Sequence, residues 1–294
     1  MRSSSDNVRL TFWQRVGLEA MWLMCRLVSL LPHWFQYYVV EEVICYVLYR
    51  CLRYRYSCIT SNLRNSFPDK SDVEIARIRR RFYDTLSEMM VNTIVMARMS
   101  DKECRRRMNF VNTDEVLPLI ADRNCITLTS HLGCWEYYGF WGMWLPDHVL
   151  VAVYHKISNV IVDELYKRLR DHTMELPVPA HDALRFFIRN IDGYEGHRLV
   201  LGLISDQNPP RLPDSHWFRF LNQDTIFFDG GEKLALRCNL PVYFVKMNRL
   251  RRGSYEMSFE LIYDGKEEVA EYEITQRYVR KLERMICECP ELWM

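Results

Sequence analysis

From about residue 110 onward, short apolar runs alternate with segments of helical character, and this alternation limits the chain to few folds. The candidate strands are 125–130, 149–154, 199–205, 241–247 and 255–262. Between them lie helical segments near 114–122, 136–144, 158–172, 181–190 and 229–238, with a last helix from about Ile274 to Cys287. Runs of four to eight apolar residues bounded by turn residues read as strands buried on both faces. Their alternation with helices predicts an α/β fold, with a central mostly parallel mixed sheet flanked by helices. No internal repeat or low-complexity linker interrupts it.

The first third differs. Val16 to Leu31 and Tyr37 to Leu52 are strongly apolar but broken by Glu19, Arg26, Glu41, Glu42 and Arg50, with Pro32 between them. Neither gives the ~18–20 uninterrupted residues that a membrane span needs. Trp13, Trp22, Trp34, Tyr37 and Tyr38 are residue types favoured at a membrane interface, and Arg50, Arg53 and Arg55 follow. The expectation is an amphipathic, membrane-associated helical region over 1–60, preceded by loose polar residues 1–9, and a catalytic α/β domain over 61–294. An amphipathic helix pair packed on the main domain is the competing reading. The charge balance favours an anionic surface: residues 1–110 carry 18 Lys+Arg against 11 Asp+Glu, the remainder 21 against 27, on a chain of net charge +1. No nucleic-acid module is recognisable, so nucleic acid is not an expected partner.

Ser71 or Asp72 can cap a helix over about 72–99 that buries Ile75, Ile78, Phe82, Leu86, Met89 and Ile94. Arg77, Arg79, Arg80 and Arg81, then Arg105, Arg106 and Arg107, form two basic runs suited to phosphate headgroups or an acidic carrier protein. Ten scattered cysteines show no CxxC pair and no Cys/His zinc spacing, which predicts reduced thiols and no metal site.

The chemistry concentrates in Thr127-Leu-Thr-Ser-His131-Leu-Gly-Cys-Trp-Glu136. A buried strand delivers His131 into a turn containing Gly133, at a strand end where ligand crevices open in α/β sheets. A neutral imidazole is the commonest general base near neutral pH. A carboxylate such as Glu136, brought back through the turn, could fix its tautomer. A histidine satisfied in the core with Glu136 capping a helix is the bland alternative. A nucleophilic Cys134 is conceivable, as is a small packing residue. No G-x-S-x-G elbow occurs, which argues against a serine hydrolase and makes the substrate's own hydroxyl the natural attacker. A second strand, Leu199-Val-Leu-Gly-Leu-Ile-Ser, ends in Asp206 and Gln207; in a parallel sheet it emerges at the same edge as His131. Lys167, Arg168 and Arg170, on the helix after Asn159, offer cations for an oxyanion or a phosphate.

Read together, several blocks resemble the lipid A biosynthesis (late) acyltransferase family of the lysophospholipid acyltransferase superfamily. They are Ser61-Asn-Leu-Arg-Asn-Ser-Phe-Pro68; Ser130 through Glu136; Val153-Tyr154 with Asn159 and Arg168; Ile204-Ser-Asp-Gln207; Gly230 through Ala235; and Cys289-Pro-Glu-Leu-Trp293. The resemblance spans about 13–294. It implies transfer of a fatty acyl chain from acyl carrier protein, as a thioester co-substrate and with no cofactor or metal, to a hydroxyl of a lipid A precursor or related glycolipid. It places that work at the cytoplasmic face of an inner membrane, with anionic membrane lipid as a further partner. By the same resemblance His131, Glu136, Arg168 and Asp206 are catalytic, and Gln207, Trp135 and Asn159 contact substrate. A different lyso- or amino-lipid acceptor, or a non-catalytic membrane-associated relative, is the alternative. The family's tryptophan motif normally continues into an aromatic, histidine and arginine segment, whereas this chain ends at Met294; a fragment, a natural truncation and a divergent member are the alternatives this leaves open.

Overall fold

The computed structural model describes residues 10–293 apart from 172 and 214; the expectation for residues 1–9 lies outside the described residues. The centre is a seven-stranded sheet. Its strands, in chain order, are β1 (Met108–Phe110), β2 (Cys125–Thr129), β3 (His148–Tyr154), β4 (Glu175–Pro179), β5 (Arg198–Ile204), β8 (Val242–Arg251) and β9 (Ser254–Tyr263). A separate antiparallel hairpin joins β6 (Trp217–Phe220) to β7 (Gln223–Ile226). The sheet order is β1-β9-β8-β2-β5-β3-β4. All neighbours are parallel except β8 and β9.

Period-two alternation sorts each central strand between two cores. Ile126, Leu128, Leu199, Leu201, Val242 and Phe244 face a layer containing Phe187, Tyr278 and Leu282. Cys125, Val200, Tyr243 and Val245 face the other layer, with Tyr137, Phe140 and Trp141. Burial on both sides explains why these strands read as continuous apolar runs.

All five expected strands are present; the hairpin β6–β7 was not expected, and the two strands of the main sheet that were not expected lie at its edges. β4 contains Pro177 and Pro179, and proline removes a ladder donor, so such a strand is tolerated only at an edge. β1 has only three residues. The β8–β9 hairpin also runs further than its apolar stretch, through the exposed residues Asn248 and Arg251, because cross-strand backbone pairing continues to Arg251 and Ser254. The segment Trp135–Trp144 is a 3-10 helix. At Gly142 a Cβ would collide with the Met174 carbonyl, so this tight segment lies directly against the backbone leading into β4.

In the N-terminal third, Thr11 and Gln14 form a reciprocal capping box on the helix Phe12–Leu30. A second helical stretch with π-helical turns covers 33–51. Leu18, Cys25 and Tyr37 enter the same core as Val91, Tyr137 and Tyr255. The outward face keeps Phe12, Trp13, Leu23, Leu27, Leu30, Trp34, Tyr38 and Tyr46 exposed. Among the described residues no helix is long and apolar enough to cross a membrane.

Ser71 caps the helix Asp72–Val95 with Glu74 as its capping-box partner. The face that this helix buries differs from the apolar periodicity. Phe82, Leu86 and Ile94 are only half-buried, while Ser87, Glu88 and Asn92 are fully sealed. Glu88 accepts from the Gly253 N–H and the Tyr255 hydroxyl, each at 2.8 Å, and ion-pairs with Arg249. Asn92 accepts from the Tyr37 hydroxyl at 2.6 Å, which also receives a hydrogen bond from Arg107. Partners on β8, β9, the turn between them, helix 33–51 and the Tyr83 carbonyl of the same helix engage this polar stripe, which makes its burial tolerable. The four arginines of the first basic run separate. Arg79 lies over the Tyr56 ring, Arg80 pairs with Asp84, Arg81 reaches Glu291 and Arg77 is exposed.

Glu41 sits on helix 33–51 with 1% exposure, one carboxylate oxygen unpartnered and Arg252 at 3.5 Å. Burial raises its carboxyl to about 8, with Arg252 opposing the rise. The folded state therefore holds a proton that the unfolded chain releases above the ordinary value of 4.5, and stability falls as pH rises through that window. In urea unfolding between about pH 5 and pH 8.5, the parent is expected to lose ~1–3 kcal/mol more than Glu41→Gln. Parallel losses in both proteins would contradict this.

Candidate functional site: the C-terminal ends of β2 and β5

β2 and β5 pair in parallel from Cys125↔Val200 to Thr129↔Ile204, so their C-terminal ends finish side by side. The Ser205 N–H donates to the Thr129 carbonyl just beyond the ladder and keeps the two exits together. His131 leaves one strand and Asp206 the other. The Asp206 Oδ1 lies 2.7 Å from His131 Nδ1, and its Oδ2 accepts from the His131 backbone N–H at 2.9 Å. Because a carboxylate only accepts, Nδ1 carries the proton and Nε2 presents its lone pair. The imidazole is 18% exposed and the Asp206 side chain 1%, so the ring reaches the surface while its anchor is sealed.

The turn has little steric freedom. Gly133 has φ +58°, and a Cβ there would lie 2.9 Å from the Tyr255 ring and 3.1 Å from the Met247 sulfur. Only glycine combines that left-handed conformation with so close an approach. The C-terminal segment closes over the turn. The Leu292 carbonyl accepts from the Gly133 N–H at 2.9 Å, and Leu132 and Trp293 form a bridge. The Trp293 indole N–H donates to Asp206 Oδ2 at 3.0 Å. Trp293 thus fixes the carboxylate that fixes the imidazole.

The structure brings four of the sequence-predicted residues together: His131, Asp206, Gln207 and Trp135. The Gln207 side-chain nitrogen is 3.5 Å from His131 Nε2, and the Trp135 ring stands edge-on to the imidazole with centroids 4.8 Å apart. The other three lie elsewhere. Glu136 enters the 3-10 segment and is held by Arg170 through two hydrogen bonds of 2.8 Å, so the carboxylate on His131 is Asp206 and not Glu136. The physical reason is register, since neighbouring strand ends converge while the Gly turn carries Glu136 away from the imidazole. Arg168 pairs with Glu19 at 2.7 Å and ties its helix to Phe12–Leu30. Asn159 caps the helix Val160–Arg170, accepting from the Ile161 and Val162 N–H groups at 3.0 and 3.3 Å.

Cys134 is fully buried, and burial together with the Glu136 and Glu88 carboxylates pushes its thiol well above the ordinary range. It is a packing residue. Sequence reasoning named Arg170 only as one of three cations, and assigned no role to Trp293. A buried Glu136 needs a cation, which was a usable signal; the helix phase that selects Arg170 over Arg168 was not available. Arg170 also faces Glu175, which burial raises to about 7 against the pull of Arg170.

Arg170→Gln strips the buried Glu136 of its partner and is expected to cost about 3 kcal/mol in chemical denaturation. Arg168→Gln removes an exposed pair and is expected to cost about 0–1 kcal/mol. Equal losses in the two variants would contradict this placement.

A search of curated proteins returns no match. The family model described as bacterial lipid A biosynthesis acyltransferase matches residues 9–294, essentially the whole chain. The chain therefore belongs to the bacterial lipid A biosynthesis acyltransferase family.

Proposed function

We propose that His131 is the general base of a membrane-surface O-acyltransferase, with Asp206 as the carboxylate that orients it. The carrying observation is the 2.7 Å contact of Asp206 with Nδ1, which leaves an outward-facing Nε2. Among the described residues the side-chain group that meets Nε2 is the Gln207 amide, and no serine or cysteine lies against it. That arrangement suits a base for an incoming substrate hydroxyl.

In this reading an acyl thioester lies beside Trp135. His131 Nε2 takes the proton of the acceptor hydroxyl as its oxygen attacks the thioester carbonyl. The tetrahedral oxyanion then collapses, the carbon–sulfur bond breaks, and the proton passes from the imidazolium to the leaving thiolate. Asp206 steadies the imidazolium throughout. Gln207, beside Nε2, is placed to contact the acceptor or the oxyanion. Glu136 acts indirectly: clamped by Arg170, it holds the segment after the turn against the helix Val160–Arg170. Arg168 and Asn159 act on the same helix by anchoring and capping it. A lipid A precursor as acceptor and acyl carrier protein as donor are the finer reading that the family favours. Exposed Arg77, and Arg81 beside Glu291 of the closing segment, suit an acidic carrier. The outward aromatic and aliphatic face of residues 12–51, flanked by exposed Arg50, Arg53 and Arg55, suits the cytoplasmic surface of an inner membrane.

An assay with acyl carrier thioester and a hydroxylated lipid A precursor tests this. His131→Ala is expected to abolish transfer while leaving the melting temperature close to that of the parent; full activity in the folded variant would sink the scheme. Asp206→Asn should lower kcat by about 10²–10⁴-fold, as expected for loss of a base in its correct tautomer. Trp293→Phe keeps the ring and removes the donor to Asp206. It should lower kcat by about tenfold with KM little changed, the loss of one hydrogen bond to a charged group, and shift the acid limb of the pH profile. An unchanged profile would restrict Trp293 to packing.

A further inference from the structure

A second polar site lies apart from the His131 site. A pocket of about 200 Å³ opens where the helix Phe12–Leu30 ends, the 33–51 stretch begins and the helix Asp101–Arg107 passes beneath them. His33, Gln36, Arg98, Glu103, Arg106 and Arg107 line it. Its charge is unbalanced. Burial would raise Glu103, but Arg106 and Arg107 hold it at about 2, so one carboxylate faces three guanidinium groups. Arg107 is nearly sealed and spends a further N–H on Tyr37. Arg98 is exposed and makes no ion pair among the described residues. Burial and the Arg107 and Arg106 charges hold His33 below its ordinary range, so it is neutral, with its ring tilted against Tyr37 at 4.5 Å between centroids. Gln36 uses its amide nitrogen on the carbonyls that end the first helix, the shortest contact being 2.9 Å to Leu31. Its oxygen is buried and unpartnered.

The rim has a different character. Leu30 and Trp34, next in sequence to the lining residues Ser29, Leu31 and His33, are each more than half exposed. A cationic pocket behind an apolar rim matches the order of a lipid leaflet, with acyl chains beside the rim and the phosphate one layer out. The exposed Arg98 guanidinium, beside the excess positive charge of Arg106 and Arg107 over Glu103, suits phosphate oxygens, and the orphaned Gln36 oxygen suits a hydroxyl on the same headgroup.

We propose that this pocket binds the phosphodiester of an anionic, hydroxyl-bearing glycerophospholipid headgroup, seating the protein at a set depth and orientation on the membrane. This rests on the reading above that the protein works on a membrane surface. It needs no acyl transfer, so it is tested separately from the catalytic assignment.

The full-length protein would be titrated with phosphatidylcholine vesicles, with and without phosphatidylglycerol. The variants are R98Q/R106Q and, as a control of equal charge on the opposite face of the sheet, R185Q/R189Q. At about 1 kcal/mol per arginine near an anionic surface, R98Q/R106Q should bind phosphatidylglycerol vesicles at least about tenfold more weakly, with binding to neutral vesicles unchanged. The control should lose much less. Far-UV circular dichroism and melting temperature establish that each variant is folded. Equal losses in both variants, or no loss in R98Q/R106Q, overturn the proposal. Glycerol 3-phosphate and inorganic phosphate separate a headgroup from a free anion. Glycerol 3-phosphate should raise the melting temperature of the parent but not of R98Q/R106Q. Stabilisation by inorganic phosphate alone, without vesicle discrimination, overturns the lipid assignment. Failure of the parent to bind any vesicle defeats the membrane reading, and the pocket is then overturned unless glycerol 3-phosphate stabilises the parent selectively.

Discussion

A buried carboxylate with four acceptor sites must be satisfied where it is sealed, and at Asp206 that requirement brings three parts of the chain to one point. One oxygen takes the His131 ring N–H; the other takes the His131 backbone N–H and the Trp293 indole. The first two donors arrive because β2 and β5 are parallel neighbours in register. The third arrives because the C-terminal segment is hydrogen-bonded to the Gly133 turn. The imidazole is therefore held by strand pairing, a glycine turn and the C-terminal segment together. None of the three would place it alone.

Support for the turn comes from below. Tyr255 packs where a Cβ on Gly133 would lie, and its hydroxyl donates to Glu88. Glu88 also holds the turn between β8 and β9 through Gly253, and Asn92, one helical turn on, accepts from Tyr37 of the N-terminal helices. These groups sit in a medium of low polarity, where satisfied hydrogen bonds are strong and orphaned ones costly. The network therefore couples the helices bearing the exposed apolar face to the hairpin beneath the His131 turn. Its cost is a carboxyl, Glu41, that the fold keeps protonated near neutral pH.

Cations illustrate how one residue type divides by environment. Arg170 is largely enclosed between Glu136 and Glu175 and acts as an internal clamp. Arg168, two residues earlier, faces outward to Glu19. In the run Arg105 to Arg107, the first guanidinium stacks on Trp144 while the other two share Glu103. A run of arginines in a sequence is thus several different devices in the fold.

By itself, the sequence determined the layered α/β architecture, the five principal strands and the histidine at a strand end. Those features follow from local periodicity and turn chemistry, which neighbouring residues encode. It also placed His131 and Asp206 at one sheet edge, because a parallel sheet aligns all strand ends. Its limits were those of local information. Edge strands such as Glu175–Pro179 lack an apolar signature, and the helix Asp72–Val95 buries polar side chains whose partners lie far along the chain. Which carboxylate meets the imidazole was settled by the pairing of distant strands. Glu136 is five residues from His131 and Asp206 seventy-five, yet strand adjacency brings Asp206 to hydrogen-bond distance while the Gly133 turn directs Glu136 to Arg170. The phase of one helix chose Arg170 over Arg168, and the path of the C-terminal segment brought Trp293 to Asp206. Such choices depend on packing between distant elements, and no local pattern carries them.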